Sequence, residues 1–396
     1  MRLPGSDEAF ALFDDARVRG AAPARLYRDP VAIVEARSMQ EVQPALDRIA
    51  DAREAGLHVA GYLSYEAGLA LEERLAPAAR RRQDGAPLLW FGVFEGVRLI
   101  DPAAVPGLLP DPASCAAGPL RPLIDEAAYR VAFAAVQDMI RAGDIYQVNL
   151  TFPCDLPFTG DPMALYAAAR GRAAAGYGGI MRTGGPDGGR GGGRTLLSFS
   201  PELFFTLVRG QLTARPMKGT ARREGDPQAD AAAARLLASD AKQRAENLMI
   251  VDLLRNDLSR VSCAGSVTVP DLFHVESFPT VHQLVSTVRA RILPGLSAVD
   301  VLRTLFPCGS ITGAPKVRAM EIIDAVEPAA RGVYTGTMGW IDPEGNAAFN
   351  VAIRTICVEE GAASGRIGLG SGVVADSRVD DEWAECLAKG RFLAGL

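Results

Sequence analysis

Leu203-Phe204-Phe205-Thr206-Leu207-Val208-Arg209-Gly210-Gln211-Leu212-Thr213-Ala214-Arg215-Pro216-Met217-Lys218-Gly219-Thr220 reads as a hairpin that ends in a shaped loop. The β-branched and aromatic run Leu203 to Val208 goes up, Arg209-Gly210 turns, and Gln211 to Ala214 returns. Pro216 removes a backbone donor and fixes one torsion, and Gly219 permits close backbone approach. Lys218 sits between them. Of 42 basic residues only Lys218, Lys242, Lys316 and Lys389 are lysines, and the rest are arginines. A composition so biased uses arginine wherever a positive charge suffices. The surviving lysines are candidates for work arginine cannot do, such as serving as an amine nucleophile or a tunable charge.

The chain has 396 residues, 48% of them apolar and 22% charged, which suits a soluble protein with a large core. A net charge of −5 gives no electrostatic case for nucleic acid. The cysteines at 115, 154, 263, 308, 357 and 386 contain no Cys-x-x-Cys, and the histidines at 58, 274 and 282 no His-x-x-x-His. That argues against zinc and for a reducing compartment. There is no apolar leader after Met1 and no apolar run of about 18 residues, so a cytoplasmic protein without membrane contact is expected.

Residues 1–115 read as an N-terminal region with its own strands and helices, and 116–396 as the catalytic domain, joined through the Pro/Ala/Gly-rich stretch Asp101 to Pro122. Tyr129, Phe133, Val136 and Ile140 mark one face of a helix from Asp125 to Gly143. Tyr146 to Phe152 alternates apolar residues with Gln147, Asn149 and Thr151, a strand whose polar face is either solvated or lines a polar pocket. The glycine-rich run Gly184 to Gly193 lacks a phosphate-loop continuation and reads as a hairpin loop. Ser200-Pro201-Glu202 interrupts strand sequence, so Glu202 marks a bulge or a placed carboxylate. Lys242 to Leu258 is a helix apolar around most of its circumference, expected to be buried, and Glu246 on it needs a partner.

His282, in the strand Thr280 to Val288, reads as a satisfied core histidine. Gly309-Ser310-Ile311-Thr312-Gly313 leads into Pro315 and a helix, and would aim backbone donors and the Thr312 hydroxyl at a phosphate or carboxylate. Tyr334 to Ile341 and Ala347 to Val358 read as a hairpin. Within the second arm the apolar neighbours of Arg354 leave it in want of an anion. Gly370-x-Gly372 lies inside a strand, which excludes a dinucleotide fold. A final helix is expected from Val379 to Leu396, with Glu382, Glu385 and Lys389 on one face. Glutamates 202, 246 and 385, Arg354 and the Gly/Thr loop together suggest a Mg²⁺-assisted enzyme acting on a small polyanion, because Mg²⁺ completes its shell with waters and substrate oxygens.

These motifs resemble the chorismate-utilising enzymes. The resemblance covers about residues 120–396, with a weaker match at Gly61-Tyr62-Leu63-Ser64-Tyr65-Glu66. It rests on Ser200-Pro201-Glu202, Pro216-Met217-Lys218-Gly219-Thr220, Arg244 to Asp257, Gly309 to Lys316, Ile353-Arg354-Thr355 and Gly372 to Glu385. It implies an α/β (α+β complex) fold: two packed, roughly orthogonal antiparallel sheets flanked by helices, with the N-terminal region contributing strands. It implies that Glu246 and Glu385 hold Mg²⁺ with Glu382 in support. Tyr334 and Arg354 hold a substrate carboxylate, Thr312, Gly372, Gln147 and Gln283 frame the substrate, and Lys389 contacts a carboxylate. Lys218 matches the nucleophile of members that turn chorismate and ammonia into 4-amino-4-deoxychorismate, toward 4-aminobenzoate and folate, with Glu202 as the acid. Anthranilate-forming members usually carry alanine in place of Lys218, and isochorismate- and salicylate-forming members carry a lysine base in place of Gln147. Ammonia is then expected from a separate glutamine amidotransferase subunit. The alternatives are an anthranilate synthase large subunit and a non-catalytic chorismate-binding partner protein.

Overall fold

The hairpin at Leu203–Val208 and Gln211–Arg215 forms as expected, turning through Arg209 and Gly210 at φ of 49° and 77°. The computed structural model describes residues 3–5, 7–81, 86–184, 193–278 and 281–396; most of the glycine-rich run read as a hairpin loop lies outside them. The sequence then continues as Met217–Arg222, which is an edge strand rather than a free loop. It pairs with Val281–Arg291, and between Met217↔Val285 and Thr220↔Gln283 it carries one extra residue. That β-bulge contains Lys218 and Gly219, the latter at φ 96°. A bulge re-aims a side chain out of the alternation of a regular strand, and glycine makes the torsion possible.

Two sheets, antiparallel throughout the described residues, build the fold. One is ordered Gly313–Ala314, Gln147–Thr159, Ser364–Val373, Thr355–Glu359, Arg194–Ser198, Gly178–Arg182, Phe10–Asp14, Ala24–Arg28 and Arg98–Ile100. The other is ordered Met217–Arg222, Val281–Arg291, Gln211–Arg215, Leu203–Val208, Ala347–Asn350, Thr337–Ile341, His58–Leu63, Leu89–Phe94 and Ala32–Ala36. Strands from before residue 115 therefore sit in both. The sheets meet through Tyr27, Met181 and Leu196 of the first and Tyr62, Trp90, Phe94 and Met338 of the second, all buried. The expected linker is packed rather than free: Val105 is buried, and Ala116–Ala117 and Arg121–Pro122 pair with Gln147–Thr159.

Two strands cross from one sheet to the other side by side. The chain leaves the first sheet at Ser198 and enters the second at Leu203; in the opposite direction it leaves the second at Asn350 and enters the first at Thr355. The crossings are stitched together: Phe199 N donates to Arg354 O (3.0 Å), Val351 N to Glu202 O (3.0 Å), and Ser200 Oγ to Val351 O (2.6 Å). The continuous arm expected from Ala347 to Val358 is thus two strands in two sheets. The break falls where Arg354 adopts φ 50°, a left-handed torsion that a strand cannot absorb. Pro201 provides the matching interruption on the other chain, since it has no donor for a ladder.

Among the helices, Met39–Glu54 and Glu126–Arg141 match the periodicity, the latter capped by Asp125, which accepts from Ala128 N (2.7 Å). Ala241–Ser259 is one-sided rather than buried all round. Asn247, Ile250, Val251, Leu254, Asp257 and Leu258 are buried, whereas Leu248 is 43% exposed, because only one face packs on the bulged strand and its neighbour. The last helix, Val379–Lys389, is shorter than expected; Gly390 ends it where Leu120 lies 2.6 Å from the position a Cβ would take, and a 3-10 turn follows at Arg391–Leu393.

The first strand is held to the helix Pro162–Ala173 by a buried carboxylate. Asp14 accepts from Arg170 Nε (2.6 Å), Arg170 Nη2 (2.9 Å) and Tyr166 Oη (2.9 Å), and its side chain has 0% exposure. Removing one partner of such a pair leaves an uncompensated charge, so Asp14→Ala is expected to lower the unfolding free energy by about 3–5 kcal/mol. Denaturant unfolding checks this, and a loss below about 1 kcal/mol, as for a surface pair, would contradict it.

Candidate active site

The face of the first sheet beside the crossings is cleared by glycine. Strand period places Gly368, Gly370 and Gly372 on one face, opposite Pro153, Thr151 and Asn149. A Cβ on Gly368 would lie 2.1 Å from the Tyr334 ring, one on Gly370 2.6 Å from the Thr151 methyl, and one on Gly372 2.9 Å from Lys218 Nζ and 3.3 Å from Gln147 Nε2. The Gly370-x-Gly372 spacing that excludes a dinucleotide fold is thus the spacing of a strand face kept bare. Above it lies a cavity of about 320 Å³.

The cavity collects residues from distant places in the chain. Glu202 and Arg354 come from the crossings, Lys218 from the bulge, Glu246 from the helix Ala241–Ser259, and Glu382, Glu385 and Lys389 from the last helix; Tyr334, Gln283 and Gly372 complete the expected set. Gln147 adjoins at the Gly372 end and is buried, with an Nε2 that has no hydrogen-bond partner among the described residues. Thr312 is the exception. It is fully buried and absent from the lining, and its hydroxyl donates to Cys308 O (3.1 Å) and Gly309 O (3.2 Å), so it closes its own loop instead of facing a ligand. Its neighbours Ser310 and Ile311 line the cavity in its stead. Asn149 and Ser310 were not among the expected residues. For Asn149 the signal was the polar half of the alternation at Gln147, Asn149 and Thr151; for Ser310 the sequence offered none beyond the loop composition.

Asn247 locks the bulge to the helix that carries Glu246. Its Nδ2 donates to Leu284 O (3.2 Å) and Lys218 O (3.4 Å), and its Oδ1 accepts from Ser286 Oγ (2.6 Å). Strand alternation sends Gln283 to the cavity and His282 to the other face. There the histidine pairs with Ser277 Oγ (2.8 Å) and Asp230 Oδ1 (2.9 Å), the core role expected of it.

The electrostatics of the cavity pull Glu202, Glu246, Lys218 and Arg354 toward neutrality and Glu385 the other way. Burial raises the Glu202 carboxyl, against the lowering influence of Ser310, Lys218 and Lys389, and its Oε1 has no hydrogen-bond partner among the described residues. Burial also lowers the Lys218 amine, reinforced by Lys389 and opposed by Glu202, Glu246 and Glu385. Among the described residues Lys218 Nζ makes no hydrogen bond or ion pair. Burial raises Glu246, and Glu382 and Glu385 push the same way against Lys218 and Lys242. At Glu385, burial acts upward, but Lys389 at 2.8 Å and the other lysines bring the carboxyl below its ordinary value. Lys389 also donates to Gly370 O (2.8 Å), and Glu382 accepts from Ser377 Oγ (2.6 Å).

Arg354 is lowered by burial alone, and no carboxylate among the described residues pairs with it. An unpaired ion out of water costs several kcal/mol. The partner that the sequence demanded is absent among the described residues, which leaves Arg354 a buried cation facing the cavity. No group of three His, Cys, Asp or Glu donors among the described residues is close enough to hold a metal by itself. Glu246, Glu382 and Glu385 line the cavity together.

The chorismate-binding enzyme family matches this chain over residues 8–395. The chain is 44% identical over 261 residues to aminodeoxychorismate synthase component 1 of Salmonella typhimurium, covering 66% of this chain and 55% of that protein. It is 39% identical over 270 residues to anthranilate synthase component 1 of Streptomyces coelicolor, covering 68% and 51% respectively. The chain thus spans about half the length of these curated relatives. The crystal structure of anthranilate synthase component I from Streptococcus pneumoniae superposes with a TM-score of 0.79 at 26% identity, covering 94% of this chain and 92% of that one. The expected pair of antiparallel sheets flanked by helices is the fold observed.

The lowered amine makes a direct prediction. A lysine-specific reagent applied in limiting amount near neutral pH should label Lys218 before Lys242, whose amine the carboxylate of Asp376 at 2.9 Å raises. Lys389→Met should move Lys218 labelling to higher pH, because a neighbouring cation is removed. Peptide mass spectrometry reads the order, and earlier labelling of Lys242 would contradict the account.

Proposed function

The chain belongs to the chorismate-binding enzymes, and we propose that it converts chorismate and ammonia into 4-amino-4-deoxychorismate, the reaction of component I of an aminodeoxychorismate synthase. The observation that carries the choice is Lys218: an unpaired amine with a lowered pKa, in one cavity with a buried carboxyl that is raised. An amine nucleophile must be neutral and a general acid must be protonated, and burial favours both states. The relatives named for this activity support the reading.

In this reading the ring carboxylate and the enolpyruvyl carboxylate of chorismate supply the anions that the cavity lacks, the second of them held by Arg354 and Tyr334. Glu246 and Glu385, supported by Glu382, would hold Mg²⁺, which when bound brings positive charge to the ring carboxylate. Neutral Lys218 forms a bond to ring C2, both ring double bonds shift (C1=C2 to C1=C6 and C5=C6 to C4=C5), and the C4 hydroxyl departs as water with the proton of Glu202. Ammonia then bonds to C4, both double bonds shift back, the Lys218 amine leaves neutral, and the new C4 ammonium returns a proton to the Glu202 carboxylate. Gln147 and Gln283, amides rather than bases, frame the ring without activating water. Lys389, fixed by Gly370 O and Glu385, adds to the burial that lowers the Lys218 amine. Ammonia would come from a separate glutamine amidotransferase subunit, as the name "component 1" of the relatives suggests. We assign the chemistry to residues 116–396. The six free cysteines suit a reducing, cytoplasmic setting, and no helix among the described residues is long and apolar enough to cross a membrane.

Incubating the protein with chorismate, Mg²⁺ and ammonium should yield 4-amino-4-deoxychorismate with no release of pyruvate. Anthranilate fluorescence with pyruvate would instead establish the reading as an anthranilate synthase. Glu202→Gln, which cannot donate the proton, should lower kcat by about 10²–10⁴. Lys218→Ala should do at least as much, and full turnover in either variant would overturn the assignment.

A further inference from the structure

Behind two walls of the cavity lies a guanidinium that the reaction as described does not use. The Arg331 side chain is 2% exposed and that of Glu327 is 3% exposed. Arg331 Nε donates to Glu327 Oε2 (2.9 Å) and Nη2 to Glu327 Oε1 (2.7 Å), while its plane lies over the Tyr65 ring at 4.5 Å. Its other donors reach two carbonyls and one hydroxyl: Nη2 donates to Asn149 O (2.7 Å), and Nη1 to Ile311 O (3.0 Å) and Thr335 Oγ1 (3.3 Å). Asn149 and Ile311 both line the cavity, on neighbouring segments that Asn149 N also joins by donating to Thr312 O (2.8 Å), and Tyr334 lies three residues beyond Arg331. The turn that carries Arg331 is held in its turn by Glu66 of the N-terminal region. One Glu66 oxygen accepts from Arg331 N (2.8 Å) and the other from Gly332 N (2.9 Å), and Glu66 is 2% exposed.

Stability alone does not account for this arrangement. A buried arginine–glutamate pair is often replaceable by apolar side chains at no cost to folding. Only the rigid, planar fork of arginine can bind one carboxylate with two nitrogens and still reach two separate carbonyls; a lysine has three donors on one atom and cannot span them. We propose that Arg331 is a positioning residue: it fixes the joined Asn149 and Ile311 walls against the turn that carries Tyr334, at the spacing the substrate requires, and Glu66 makes that spacing dependent on the N-terminal region. The inference rests on the chorismate reading of the cavity. The two walls frame the bound ring, whereas Lys218 and Glu202 are held by the bulge and the crossing, so loosening the walls weakens binding more than chemistry.

The test is steady-state kinetics of the full chain with chorismate, Mg²⁺ and ammonium. Arg331→Lys is expected to raise KM for chorismate about tenfold while kcat changes less than about twofold and its pH profile keeps both limbs. Glu66→Gln, which keeps the side-chain shape and removes the charge, is expected to raise KM in the same direction, and it decides the matter if Arg331→Lys does not fold. Asp14→Ala serves as the control for a purely structural loss: its unfolding midpoint falls and KM stays unchanged. If the Arg331 and Glu66 variants behave like that control, with KM unchanged, the positioning role is overturned. If the wild-type protein does not turn chorismate over, the proposed reaction fails instead, a result distinct from either.

Discussion

The main-chain bonds between the two sheet crossings are the constraint on which the rest depends. Phe199 to Arg354 and Val351 to Glu202 pair two chain segments that each leave one sheet for the other. Neither segment can continue its strand, because Pro201 lacks a donor and Arg354 sits at φ 50°. A left-handed torsion on a non-glycine residue costs of order 1–3 kcal/mol and persists only where surrounding structure over-determines it. Here the surroundings are two sheets joined at one place. The result is that a carboxyl and a guanidinium from residues 152 positions apart come to the same cavity, each on backbone that cannot slide.

From that fixed seam the chemistry follows by electrostatics. The cavity places cations and carboxyls close together yet leaves the decisive ones unpaired. Arg354 has no acid, the Lys218 amine has no hydrogen bond, and Glu202 keeps one oxygen unsatisfied, all among the described residues. Pairs that do form, Lys389 with Glu385 and Ser377 with Glu382, orient groups at the rim. Buried ions without partners are expensive. In the proposed reading, a ligand with two carboxylates, one of them on Arg354, would discharge much of that cost on binding. The same burial that leaves these groups unpaired also sets their protonation, so recognition and reactivity have one physical origin.

Local pattern was legible in the sequence wherever one residue's neighbours decide its conformation. The hairpin at Leu203–Arg215, the helix at Glu126–Arg141, and the opposite facing of His282 and Gln283 all follow from period and turn chemistry. Long motifs located most of the cavity lining. What local pattern could not show is where a strand changes sheet: Ala347 to Val358 reads as one apolar arm, because residues buried between sheets look alike on either side of a crossing. The Lys218 stretch reads as a loop because bulge and loop share the same glycine requirement, and only the register against Val281–Arg291 tells them apart. Thr312 misled for a similar reason. A hydroxyl in a Gly/Ser/Thr loop can face a ligand or cap its own turn, and the sequence is the same in both cases. The buried Arg331 with its two carbonyls was invisible, since main-chain acceptors carry no residue signature.

The central claim is that the Lys218 amine bonds to the substrate. Intact-protein and peptide mass spectrometry after incubation with chorismate and Mg²⁺, with ammonia excluded, tests it most directly. The account predicts protein heavier by the mass of chorismate less one water, with the added mass on Lys218, lost again when ammonium is supplied. Turnover of chorismate with no added mass on Lys218, or with the mass on another residue, would contradict it.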